Sequence, residues 1–227
     1  MDTERVEPVT ASPSSIGRTY DRLNGLYSWL VGGWEAPTRT IALEMLAPTA
    51  GELIVDVGCG PGHALVDIGR RVRPDGGVIG IDIAPRMLAR SARRVTRTAL
   101  DGVVEVVRGD ARALPIADGR VDAAYIAETL ELFARPDMAR VLDELRRVLT
   151  SDGRLCVVSM PRAGHGNSRF VRTYEWLYRN LPGYATIGCR PIYVESAISG
   201  AGFEIEATRE LVRGGVWPLE IVVGRPA

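Results

Sequence analysis

Cysteine is scarce and scattered in this chain. Cys59, Cys156 and Cys189 are the only three in 227 residues, and they share no repeated spacing. That excludes a disulfide framework or a cysteine-based metal site, and it fits a reducing, cytoplasmic setting. No metal is expected. Histidine is scarcer still, with only His63 and His165. No apolar run approaches the roughly 20 residues needed to cross a bilayer. The first residues, Met1 to Pro8, lack the apolar core of a secretory signal. Neither charge sign dominates: 28 basic residues face 28 acidic ones, for a formal net charge of zero. A nucleic-acid partner that relies on a broad basic surface is thereby excluded. Internal repeats and low-complexity blocks are also missing. What remains is 46% hydrophobic and 25% charged, ordinary for a globular domain with one sizeable core.

The most informative stretch runs from Leu53 to Asp82. Leu53–Val57 is short, apolar and β-branched, as a strand buried on both faces should be. Gly58, Gly60 and Gly62 follow, and allow a sharp turn that approaches a ligand with no Cβ in the way. Ala64, Leu65, Ile68 and Val72 then recur at helical spacing, and Val78–Asp82 reads as a second strand ending in an acid. Strand, glycine turn, helix and strand with a terminal carboxylate outline a nucleotide-binding βαβ unit. A dinucleotide fingerprint would place its third glycine at position 63, which is His63; here the third glycine is Gly62. Asp56, just before the turn, adds negative charge that suits a cationic ligand and repels a pyrophosphate.

Strand and helix patterns alternate through the rest of the core. Helices are expected over Pro37–Leu46, Arg86–Thr98 and Pro136–Leu149, and strands over Val103–Val107, Val121–Ala127 and Leu155–Met160, with Ser151-Asp152-Gly153 as a turn. A further helix over Gly17–Leu30 has an apolar face formed by Tyr20, Leu23, Leu26, Tyr27 and Leu30. Ser168–Leu181 reads as an aromatic-rich helix, 192–201 as a short one, and Phe203–Thr208 with Val216–Val223 as a closing strand pair. The pattern predicts an α/β fold: a doubly wound, mostly parallel seven-stranded sheet, its last strand antiparallel, with helices on both faces.

Asp56-Val57-Gly58-Cys59-Gly60-Pro61-Gly62 resembles motif I of the class I S-adenosylmethionine-dependent methyltransferases, and the resemblance continues in order over about residues 51–160. It implies a Rossmann-like fold and S-adenosylmethionine as cofactor, with S-adenosylhomocysteine as product. It implies cofactor contacts from Asp56, Gly58, Cys59, Gly60 and Gly62, from Asp82 with Ile83 at the ribose, and from Met87 near the adenine. Asp110 would meet the adenine amino group, Ala111 would supply backbone, and Ala127, at the end of the fourth strand, would also contact the cofactor. A narrower resemblance, through Tyr20-Asp21 and Asn24, is to the ubiquinone/menaquinone-biosynthesis C-methyltransferases, which places Tyr20 in a lid over the cofactor's methionine end. The chain departs from that group at Ala127-Glu128-Thr129-Leu130-Glu131-Leu132-Phe133 and in its C-terminal third. The expected organisation is a disordered tail (1–15), then a single domain. That domain comprises a helical lid (16–50), a cofactor core (51–160), a substrate-side insert (161–191) and a C-terminal helix and strand pair (192–227).

A base is needed only if the acceptor starts protonated, as a quinol or phenol would. The candidates are His165, in a glycine-rich loop after the fifth core strand; Glu128, just past the fourth; and Tyr20. His63, in the cofactor turn, reads as a packing or capping residue. All four Trp and six of the seven Tyr lie outside 51–160, with Tyr125 the exception. They could cover the strand ends and bind a flat or lipid-like acceptor, such as a prenylated quinol, or simply pack thin helical layers. Peripheral membrane contact and a monomer or homodimer are compatible with this reading. The competing functions are an NAD(P)-dependent oxidoreductase and a non-catalytic cofactor-binding module.

Overall fold

The structure, a computed structural model, describes residues 35–163, 169–180, 190–214 and 217–227. Tyr20, His165, Cys189 and the helix expected over Gly17–Leu30 lie outside the described residues. Seven strands form one sheet: β1 (Leu53–Val57), β2 (Gly77–Asp82), β3 (Val104–Arg108), β4 (Val121–Ala127), β5 (Leu149–Ser159), β6 (Phe203–Arg213) and β7 (Trp217–Pro226). Their spatial order is β3-β2-β1-β4-β5-β7-β6. Strands β1 to β5 pair in parallel, while β7 lies antiparallel between β5 and β6. The described helices are α1 (Ala36–Leu46), α2 (His63–Val72), α3 (Pro85–Arg97), α4 (Arg135–Val148), α5 (Arg169–Asn180) and α6 (Val194–Gly200).

Alternation along the strands divides the core into two layers. Val55, Val57, Ile126 and Val157 face one side, where Val141, Leu142 and Leu145 of α4 and Ile198 of α6 cover them. Ile54, Tyr125, Cys156 and Ile221 face the other, under Leu43 and Leu46 of α1 and Leu65 and Ile68 of α2. Asp56 is two residues from Ile54 and so belongs to the α1/α2 side. There it is level with Tyr125 and Cys156 across the strand register.

The direction of α1 matters for the site. Arg154, midway along β5 and opposite Ala123 of β4, donates to Leu46 O (2.6 Å) and Ala47 O (2.9 Å), and its guanidinium pairs with Glu52, just before β1, at 2.8 Å. The C-terminus of α1 is therefore fixed at the N-terminal edge of the sheet. Halfway along, Ala42 O accepts from Cys156 Sγ (3.7 Å). The first turn of α1 consequently reaches the opposite edge, where β1 to β4 end.

Two boundaries differ from the sequence reading. Ser151-Asp152-Gly153 is not a turn but part of β5. Leu149 already pairs with Val121, and the register shifts between Val121 and Ala123 to absorb the extra residues. β6 and β7 extend well beyond 208 and 223, because they pair with each other from Phe203↔Pro226 to Arg213↔Trp217.

Candidate active site

Every core residue picked out by the glycine turn converges on the C-terminal ends of β1, β2 and β4, the switch point of a doubly wound sheet. The turn after β1 is fastened from several sides. Gly58 and Cys59 donate their amides to Ile81 O (2.7 and 3.0 Å), and Gly62 donates to Cys59 O (3.0 Å). Gly60 N–H donates to Asp82 Oδ2 (2.9 Å), while Ala84 N–H donates to Oδ1 of the same carboxylate (2.8 Å). A carboxylate offers about four acceptor directions, so Asp82 can brace the turn and still meet a ligand diol. Gly58, Gly60 and Gly62 have φ of 74°, 52° and 79°, the left-handed region that glycine enters without penalty.

Two residues that the motif did not reveal hold the turn from α3. Ser91 is fully buried and donates to Gly60 O (2.7 Å). Arg94 donates from Nε to Pro61 O (2.8 Å), and its Nη1 lies 2.7 Å from His63 Nδ1. Facing a permanent donor, Nδ1 must accept, so the His63 proton sits on Nε2. Burial and the adjacent Arg94 charge push the His63 pKa down to about 4. His63 is thus neutral near pH 7 and is held in the turn by Arg94.

The His63 shift fixes a sign. The unfolded chain, with its imidazole near 6.5, takes up a proton first as pH falls. Stability contributed by neutral His63 is therefore present above about pH 6.5 and is lost as pH falls towards about 4. NMR titration of His63 is expected to show no inflection between pH 6 and 8.

Asp56 is the unusual acid. It is only 2% exposed, and none of the described residues donates to its Oδ2. Desolvation, then repulsion from Asp82, raises its pKa to about 8, and Arg39 opposes the shift. A buried carboxyl with an acceptor that no described residue fills is costly unless it is protonated or meets a donor.

The remaining expected residues divide as follows. Cys59, Met87 and Ala111 are buried, while Ile83 is 41% exposed. Asp110 pairs with Arg112 (2.7 Å) and accepts from the Arg112 amide (2.9 Å); these contacts hold its carboxyl below the usual range. After Ala127 the chain turns at Glu128, whose φ is 48°. Both Glu128 carboxylate oxygens face Arg213 (2.6 and 3.5 Å), a residue 85 positions later whose side chain is 8% exposed. The tip of the β6–β7 hairpin is thereby tied to the end of β4. Glu35, beside α1, is raised to about 7 by burial and by the Glu128 charge. Deeper in, Glu131 is buried and accepts from Ser159 Oγ (2.9 Å). Burial pushes its pKa up to about 8.

Next to this edge lies an apolar wall. Met160 and Tyr174 are buried together, with Leu132 and Trp217 packed against them. The Tyr174 and Trp217 rings meet edge to face at 5.5 Å. Trp176, on α5, is 57% exposed. Among the described residues no helix is long and apolar enough to cross a membrane.

Comparison with known proteins agrees with this geometry. The family described as a methyltransferase domain matches residues 54–153. The demethylmenaquinone methyltransferase of Thermus thermophilus is 31% identical over 224 residues, covering 92% of this chain and 97% of that protein. A 37.1 kDa protein of transposon TN4556 from Streptomyces fradiae is 39% identical over 117 residues; the match takes in 52% of this chain but only 32% of that longer protein. Among solved structures, a SAM-dependent methyltransferase from Aquifex aeolicus superimposes with a TM-score of 0.65 at 20% identity, covering 95% of this chain and all of the other.

Proposed function

Because this chain belongs to the class I S-adenosylmethionine-dependent methyltransferases, on the side of the demethylmenaquinone methyltransferases, we propose that it methylates a small, apolar or lipid-like acceptor, such as a quinol ring carbon or phenolic oxygen. The observation that carries the cofactor end is Asp56, a buried carboxyl with an acceptor that no described residue fills, beside a glycine turn. It fits the ammonium of a methionine moiety, and the Asp82 carboxylate fits a ribose diol. When bound, S-adenosylmethionine supplies an already electrophilic methyl group.

The chain's own residues then position and exclude. Gly60 keeps a side chain away from the ligand face of the turn, while Gly58 makes room for Thr129 behind it, and Ile83, Met87, Asp110 and Ala111 border the space assigned to the adenine. Met160, Tyr174, Leu132 and Trp217 offer a dry wall for a flat acceptor, which favours methyl transfer by excluding water and fixing orientation. In this reading Glu128 braces the hairpin through Arg213 instead of acting as a base, which leaves His165 and Tyr20 as the candidates for a protonated acceptor. Such an acceptor would come from membrane lipid, so peripheral membrane contact belongs to the same proposal.

The test uses radiolabelled S-adenosylmethionine with demethylmenaquinol and with lipid and quinone fractions of a cell extract. Label in a quinone or phenol product is expected. Label confined to polar metabolites overturns the acceptor class. Calorimetry that shows NAD(P) binding and no S-adenosylhomocysteine binding overturns the cofactor.

Asp56 adds a second expectation. Its carboxyl is raised to about 8, so at pH 7 the free site holds its proton, and a bound ammonium expels it. Titration of S-adenosylhomocysteine in buffers of different ionisation enthalpy is expected to show release of about one proton at pH 7. Asp56→Asn should abolish the release. In the absence of ligand the sign is opposite to that of His63: the raised carboxyl contributes stability below about pH 4, which is lost as pH rises towards about 8.

A further inference from the structure

The pairing of Glu128 with Arg213 leaves one donor over. Both terminal amines of Arg213 face the Glu128 carboxylate, at 2.6 and 3.5 Å. Its Nε is out of contact with solvent, and none of the described residues accepts from it. A buried N–H without an acceptor is costly. The position of Arg213 indicates what that donor faces. Arg213↔Trp217 is the last register pair of the β6–β7 hairpin, so the two side chains stand on one face. There Trp217 packs against Met160 and Tyr174. Leu211, two residues before Arg213 and on its face, packs into the core layer under α1 and α2. Arg213 therefore reaches from the apolar wall to the end of β4, on the α1 side of the sheet.

The same pairing leaves one carboxylate over. Glu35 immediately precedes α1, at the edge where β1 to β4 end, and its side chain does not cap the helix. The charges that act on it are Glu128 at the end of β4, Arg213 on the hairpin and Arg39 on α1. Glu128 takes the Arg213 fork, so Glu35 is the acid of the three-residue group without a guanidinium of its own. Burial and the Glu128 charge hold it at about 7, a value suited to taking up a proton at neutral pH. Beside a dry aromatic wall, the fold thus offers an N–H that needs an acceptor and a carboxylate ready for a proton. An aromatic hydroxyl satisfies both. Resting on the acceptor proposed above, we infer that Glu35 is the base that takes the acceptor's hydroxyl proton, while Arg213 Nε–H holds the oxygen left behind. The acceptor O–H bond breaks as an O–H bond forms on Glu35, and the electron pair stays on the acceptor oxygen. That oxygen, or a ring carbon conjugated with it, is the nucleophile for the methyl group; in the second case the displaced ring hydrogen restores the hydroxyl. Glu35 then returns its proton to solvent. The part left open to His165 and Tyr20 falls to Glu35.

The test is the pH profile of kcat/KM for demethylmenaquinol with radiolabelled S-adenosylmethionine, on the wild-type chain, Glu35→Gln and Arg213→Lys. The base must be ionised, so wild-type kcat/KM is expected to rise with pH through about 7 and then level off. In Glu35→Gln that limb should disappear, and the plateau should fall by about 100-fold or more, the range of a general base. Arg213→Lys keeps a charge for Glu128 but lacks the Nε–H, and should lose about tenfold on the plateau with the limb retained. S-Adenosylhomocysteine affinity, read by calorimetry on the same proteins, should be unchanged. A limb that persists in Glu35→Gln assigns the base to another group and overturns the inference. So does wild-type activity in Arg213→Lys, or a loss of S-adenosylhomocysteine affinity in Glu35→Gln as large as the loss of kcat/KM. Each of these leaves the acceptor reading intact, because the wild type still labels the quinol. A wild type that binds S-adenosylhomocysteine but labels no demethylmenaquinol overturns the acceptor reading and this inference with it.

Discussion

Replacing Gly58 with alanine is expected to be the most damaging single substitution in the cofactor turn. The residue has φ 74°, which costs an L-residue about 1–2 kcal/mol. A Cβ there would also fall within 2.9 Å of Thr129 Cβ and closer still to the rest of that side chain. Thr129 cannot swing away freely, because its hydroxyl is held by Ala127 O (2.9 Å). Overpacking of this kind adds about 1–3 kcal/mol, for a total of about 2–5 kcal/mol. For a domain of this size that lowers the melting temperature by roughly 4–20 °C. Gly60→Ala makes the informative contrast. Its φ is 52°, but the nearest atom a Cβ would meet is Gly58 O at 3.9 Å. It should lose only the conformational share, about 1–2 kcal/mol, yet lose S-adenosylhomocysteine affinity by at least about tenfold, since the new methyl projects where the ligand is proposed to lie. Equal melting temperatures for the two variants would show that the contact with Thr129 carries no weight.

Asp82→Ala is expected to have the largest effect on cofactor affinity. Its carboxylate accepts from Gly60 N–H and Ala84 N–H in the free site, and it is proposed to accept from the ribose as well. Hydrogen bonds to a charged acceptor are worth about 1.5–3 kcal/mol each. Losing two at the ribose amounts to a fall of about 100-fold or more in S-adenosylhomocysteine binding by calorimetry. Asp82→Asn sharpens the result. An amide retains one acceptor but turns an NH₂ towards a backbone N–H, so it should fall between wild type and Asp82→Ala. Unchanged affinity in Asp82→Ala would remove this residue from the site.

These residues were legible in the sequence because their message is local. Asp56, the three glycines and Asp82 fall within one βαβ unit, where spacing alone implies a shared edge. The supporting residues were not legible, because each acts across a distance only the fold can close. Ser91 and Arg94 sit 31 and 33 positions from the carbonyls they hold, and Arg213 is 85 from Glu128. Glu35 reads as one of many acidic residues until α1 is seen to run antiparallel to β5. Glu128 shows the limit from the other direction. Its place after β4 makes it a candidate base, and only the hairpin reveals the arginine it pairs with. At Ser151-Asp152-Gly153 the turn chemistry was real, but pairing of Leu149 with Val121 drew the segment into the sheet.

The fastened turn also bears on how quickly the site can work. The amides of Gly58, Cys59, Gly60 and Gly62 and the carbonyls of Gly60 and Pro61 already have protein partners before any ligand is present. A binding loop in that condition surrenders little disorder when occupied, so capture need not wait for the loop to find its shape. Turnover is then expected to be timed by steps other than ordering of this loop, such as release of the spent nucleoside.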